Sequence, residues 1–178
     1  VFNGKRPYPS TQDQLDPVGN YANFKKEVEE KLLENNLEKI TILRISKVVD
    51  HNFPLFLEWQ KKLLNNEEIQ PFNDLIFSPI SISFLTRVMD QIIKKNFSGI
   101  FNISAQSDIS YADASRYLSK KLGLSLDKIK PVSAKEIFND IYLPKFAAMN
   151  TSSLDPLGLR APEPHESIDF FLRSNFEY

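Results

Sequence analysis

Tyr21 and Lys25 stand four residues apart in the segment NYANFKKEVEE, residues 20–30. On a helix that spacing puts both side chains on one face. An ammonium beside a phenol favours the phenolate, and a phenol tuned in this way passes a proton to or from a carbonyl or alcohol oxygen. Such proton transfer is half of a hydride-transfer reaction; the other half needs a hydride donor such as a nicotinamide. The spacing also arises on solvated helix faces, and from spacing alone that is its commoner origin. A second copy, Tyr117 and Lys121 in YLSKK, shows how easily it recurs. Here the expected role is structural, with Tyr117 packing beside Leu118 and Leu122 against a neighbouring element.

Other reactive side chains are sparse. Cysteine is absent and only His51 and His165 are present, which excludes disulfides, thiolate chemistry and a multi-histidine metal site. No metal is expected. His51 follows a strand, where loops of α/β folds meet ligands, but a plain loop histidine is the more frequent case. Trp59 is expected to be a core or edge anchor. Arg87 and Arg160 carry forks suited to a diphosphate, although single arginines more often form surface ion pairs. The net charge of −1 offers no general attraction to nucleic acid. No apolar run approaches the roughly 18 residues of a membrane span. The five glycines never cluster, so the chain lacks the Gly-x-Gly-x-x-Gly loop that cradles a dinucleotide.

The elements that must position Tyr21 and Lys25 follow from periodicity. Val1 and Phe2 have the character of a strand's tail, and Asn3-Gly4 that of a turn. A chain opening in mid-strand is expected to be a piece of something larger. A proline-containing loop leads to a helix over about 20–35, with Val28, Lys31, Leu32 and Asn35 on one face. KITILRISKVV, 39–49, is apolar on both faces, as a buried strand is. Further helices are expected over 53–66, 83–96, 110–123 and about 164–175, with strands near 75–78 and 99–104. Strands and helices alternate, giving an α/β fold, and 42% hydrophobic residues suffice for a real core.

The order of these segments resembles the extended short-chain dehydrogenase/reductase family, most closely its dTDP-4-dehydrorhamnose reductase branch. Val1-Phe2-Asn3-Gly4, Asp16-Pro17, Tyr21 and Lys25 run in the family's order. Leu43-Arg44, Asn52-Phe53, Ser78-Pro79, GIFNIS, SYADASRYL and PKFAAMNTSSL follow, likewise in order. The resemblance spans nearly the whole chain. It implies the C-terminal part of such a reductase: the end of a Rossmann-like parallel sheet over 1–50, and over 51–178 mostly a small α/β sugar-nucleotide lobe with segments returning to the cofactor domain. Tyr21 would be the catalytic acid/base. Lys25 would hold the nicotinamide ribose, with Arg44 and Ser46 beside the cofactor and Asn52, Phe53 and Arg87 near the substrate. NADP(H) or NAD(H) would be bound mainly by a missing N-terminal half. The substrate would be a nucleotide-linked 4-keto-deoxysugar, and the parent protein a cytoplasmic enzyme able to form a homodimer, inactive in this fragment alone.

Departures bear on the substrate more than on the fold. Ser46-Lys47-Val48-Val49-Asp50 replaces the family's Ser-Trp-Val-Tyr-Gly, and Leu143-Pro144-Lys145 its late Pro-Arg-Pro. Other sugar-nucleotide epimerases and dehydratases share the Tyr-x-x-x-Lys core. The regulatory beta subunit of methionine adenosyltransferase also resembles this branch, so a non-catalytic binding subunit is an alternative. An independent α/β binding domain is a third.

Overall fold

The computed structural model describes residues 1–34, 40–138 and 141–176. An irregular segment over 1–18 leads into helix α1 (Asn20–Glu34), then strands β1 (Thr41–Ile45) and β2 (Val48–Val49) and helix α2 (Pro54–Leu64). Strands β3 (Ile76–Phe77) and β4 (Ile80–Ser81), helix α3 (Ile82–Lys95) and strand β5 (Gly99–Ile103) follow. Strand β6 (Ile109–Ser110), helix α4 (Tyr111–Lys121), the single turn α5 (Ala134–Ile137) and helix α6 (Pro164–Phe176) complete the order. β1 and β5 pair in parallel with Thr41 opposite Gly99 and Ile45 opposite Ile103. β2 and β4 form a second parallel pair, and β3 and β6 an antiparallel one.

The strand expected over 39–49 is two strands. Ser46 N–H still donates to Ile103 O at 2.9 Å, but Lys47 O accepts from Ile80 N–H, also at 2.9 Å. The chain therefore changes partners between Ser46 and Lys47. Periodicity reports which residues are buried and is blind to which strand each one pairs with. Lys39 and Asn35, assigned to these elements from sequence, lie outside the described residues.

Two apolar clusters hold the molecule. Phe56, Trp59 and Leu63 of α2 meet Leu118 of α4 and Ile168 and Phe171 of α6. Phe84, Val88 and Ile92 of α3 meet Phe101 and Ile103 of β5, with Leu154 and Leu157 from the 3₁₀ turn after the irregular segment 141–151. α3 shows why its periodicity was readable: its buried positions recur every three or four residues, Ser81 caps its first turn through Phe84 N–H, and Lys94 and Lys95 close its last turn. α1 differs. Val28 and Leu32, on its expected shared face, are 38% and 37% exposed, and its buried residue is Glu29. Among the described residues β1 pairs only with β5, leaving its other edge without a strand.

Gly4 ties the first loop to the segment 141–151. Its φ is 71°, and a Cβ there would stand 2.5 Å from both Phe146 O and Pro144 Cβ. Gly4→Ala meets strain in the left-handed region and a steric clash together, so it is expected to lower unfolding free energy by more than about 1 kcal/mol. A shifted urea midpoint at unchanged slope is the measurement.

Candidate active site

Tyr21, Lys25 and Glu29 occupy positions i, i+4 and i+8 of α1, one stripe of the helix. At the lower end of that stripe Glu29 is buried against β1. Arg44 Nη2 and Nε donate to Glu29 Oε2 at 2.8 and 3.0 Å, and Nε reaches Oε1 at 3.3 Å. Arg44 Nη1 donates to Thr11 O at 3.4 Å, and the guanidinium lies 5.1 Å from the centre of the Phe2 ring. With α1 fixed at Glu29, the upper end of the stripe turns toward a cleft of about 590 Å³. Tyr21 is 76% exposed, and Lys25 Nζ stands 5.5 Å from its ring centre.

The cleft has three walls. α1 supplies Tyr21 and Lys25, the end of β1 supplies Leu43 to Ser46, and the third wall is the segment 144–149 facing Gly4 and Pro9 of the first loop. Four residues expected at the site from sequence, Tyr21, Lys25, Arg44 and Ser46, line this one cleft. Their engagement differs. Tyr21 and Lys25 line it with no side-chain hydrogen bond of their own among the described residues. Arg44, expected beside a cofactor, is buried with its guanidinium committed to Glu29, and Ser46 Oγ donates to Ser78 O at 2.5 Å.

Asn52, Phe53 and Arg87 do not line the cleft. The partner change after Ser46 carries the chain away from it. Asn52 is exposed and bonded to the His51 ring at 2.9 Å, while Phe53 packs edge-on against Phe56 at 4.8 Å. Arg87 is exposed on α3, 5.6 Å over the Phe84 ring. Trp59 is a core residue, 4% exposed.

The second tyrosine–lysine pair is a helix clamp. Tyr117 Oη donates to Asp169 on α6 at 3.0 Å, and Lys121 Nζ pairs with the same carboxylate at 3.0 Å. Burial, reinforced by the Asp169 carboxylate, raises the Tyr117 phenol above its ordinary range. Its proton is thus held in an interhelical bond.

Tyr21 and Lys25 offer a phenol and an ammonium at this cleft, and the five glycines form no cluster that could cradle a diphosphate. Among the described residues no group of three carboxylates or histidines could hold a metal, and no helix is long and apolar enough to cross a membrane.

This mixed α/β fold matches about 60% of the length of solved extended short-chain reductases. The chain is similar to dTDP-4-dehydrorhamnose reductase from Bacillus anthracis, solved with NADP, at a TM-score of 0.84 and 21% identity over 98% of this chain and 62% of that one. A Clostridium acetobutylicum dTDP-4-dehydrorhamnose reductase gives 0.84 and 20% over 99% and 63%. A dTDP-glucose 4,6-dehydratase from Bacillus anthracis, in complex with NAD, gives 0.72 and 13% over 97% and 58%. The chain thus spans less than two thirds of the length of these proteins. No curated protein matches it in sequence. The RmlD substrate binding domain matches residues 1–174, and the chain belongs to that family.

Sequence reasoning missed Glu29 and the wall at 144–149. Nothing in the sequence sets Glu29 apart from the other charges of α1 except its place four residues beyond Lys25. Removing one partner of a buried, well-bonded ion pair strands the other charge. Glu29→Ala is therefore expected to cost about 3–5 kcal/mol in denaturant unfolding, and Glu29→Leu with Arg44→Met to recover most of that loss.

Proposed function

We propose that this chain supplies the acid/base pair and the substrate-side walls of an NAD(P)H-dependent reductase acting on a nucleotide-linked 4-keto-deoxysugar. The observation that carries the proposal is the placement of Tyr21 and Lys25 together on the open side of a cleft whose other face is the end of a parallel strand. Family membership supports it, as does the likeness to reductases of this substrate class.

A bound nicotinamide would supply the hydride that adds to the sugar's C4. As that carbon gains hydride, the carbonyl π pair moves onto oxygen, and Tyr21 gives its phenolic proton to it. Solvent at the exposed ring then reprotonates the tyrosinate. Lys25 places its ammonium beside the phenol, where it stabilises the tyrosinate once the proton has left. The apolar residues Phe146 and Met149 line the cleft and would exclude water from one side of a bound sugar.

The test is NADPH consumption with a dTDP-linked 4-keto-6-deoxysugar, in the protein that carries these residues. Tyr21→Phe removes the transferable proton and is expected to lower kcat by about 10²–10⁴-fold with little change in KM. A folded protein that binds the sugar nucleotide but never oxidises NADPH would instead establish the non-catalytic binding subunit.

A further inference from the structure

The segment 146–150 forms no helix or strand, yet each of its amides has a partner outside the segment. Phe146 N–H donates to Gly4 O at 2.9 Å and Asn150 N–H to Pro9 O at 3.0 Å. Ala147 and Ala148 N–H both donate to Asp108 Oδ1, at 3.1 and 2.6 Å. Met149 N–H donates to Ser104 Oγ at 3.0 Å. Five successive amides are thus held by the first loop on one side and by β5 and its continuation on the other.

Asn102 crosses between the two sides. It is fully buried in β5, and its Nδ2 donates to Pro9 O at 3.0 Å and to Asn150 O at 3.2 Å. One amide nitrogen therefore ties the first loop to the 146–150 segment directly. Its Oδ1 has no hydrogen-bond partner among the described residues. Leaving a buried acceptor unmade is unfavourable, and the orientation is fixed because both neighbours of Nδ2 are carbonyls.

We propose that Asn102 and Asp108 are positioning residues: they hold the segment 146–150, of which residues 146–149 line the Tyr21–Lys25 cleft, and thereby set the cleft's affinity for ligand. Neither residue lines the cleft. The inference rests on the proposed function for the identity of the ligand, but not for the wall itself. Burial raises the Asp108 carboxyl above its usual range against the pull of its two amide bonds; an asparagine in its place keeps an acceptor oxygen for the same two amides.

The test compares Asn102→Asp, Asp108→Ala and Asp108→Asn by amide hydrogen exchange and by binding of dTDP-glucose. Asn102→Asp replaces the two-carbonyl donor with a carboxylate that repels both. Asn102→Asp and Asp108→Ala are expected to speed exchange over 146–150 by about tenfold or more and to weaken dTDP-glucose binding by a similar factor, with α3 and α6 unchanged. Asp108→Asn, which keeps the acceptor, is expected to restore both. In turnover the first two raise KM, whereas Tyr21→Phe lowers kcat. Unchanged exchange over 146–150 in a folded variant overturns the proposal, as does faster exchange with unaltered affinity. If Asn102→Asp does not fold, the Asp108 pair decides. If the unsubstituted protein does not bind dTDP-glucose, the proposed function fails, and the exchange pattern alone decides the wall.

Discussion

The ion pair between Glu29 and Arg44 fixes the placement of the site. Both side chains are withdrawn from water, 10% and 5% exposed, and the guanidinium meets the carboxylate through two nitrogens. Desolvating two charges offsets much of their attraction, so the pair contributes less to stability than its geometry suggests. Its effect is on orientation. The apolar side chains of α1 are too exposed to choose its rotation, and a directional two-nitrogen contact chooses it instead. Tyr21 and Lys25, on the same stripe, follow wherever Glu29 is held.

The two tyrosine–lysine pairs show how little the spacing decides by itself. Each has lysine near the ring, with Nζ to centroid distances of 5.5 Å at Tyr21 and 5.2 Å at Tyr117. At Tyr117 a carboxylate from another helix takes up both polar groups. Tyr21 and Lys25 instead line an open cleft. The same four-residue interval yields a clamp in one place and a candidate acid in the other, according to what the neighbouring element presents.

Much of the fold was legible because its elements obey simple periods. α3 alternates buried and exposed faces, GIFNIS is apolar and strand-forming, and Pro54 and Ser110 mark helix starts. The site was legible only where chemistry and spacing coincide, at Tyr21 and Lys25. Glu29 was hidden because a glutamate on a charged helix carries no mark of burial until its arginine is found fifteen residues on. The 146–150 wall was hidden because its conformation is imposed by side chains of Asn102, Ser104 and Asp108, and an irregular segment held from outside has no period of its own. The break at Ser46–Lys47 was hidden for a related reason: the residues on both sides favour strand, and only their partners differ.

The contact from Tyr142 Oη to Asn3 O spans 139 residues of chain, and the bonds from Phe146 to Gly4 and from Asn150 to Pro9 run alongside it. A ribosome adding about 5–20 residues per second needs roughly seven to thirty seconds between making the two sides of this contact. Through that interval α2 can pack against α4, and α3 against β2 and β4, while the first loop waits without its counterpart. The cleft is therefore among the last features of the nascent chain to close.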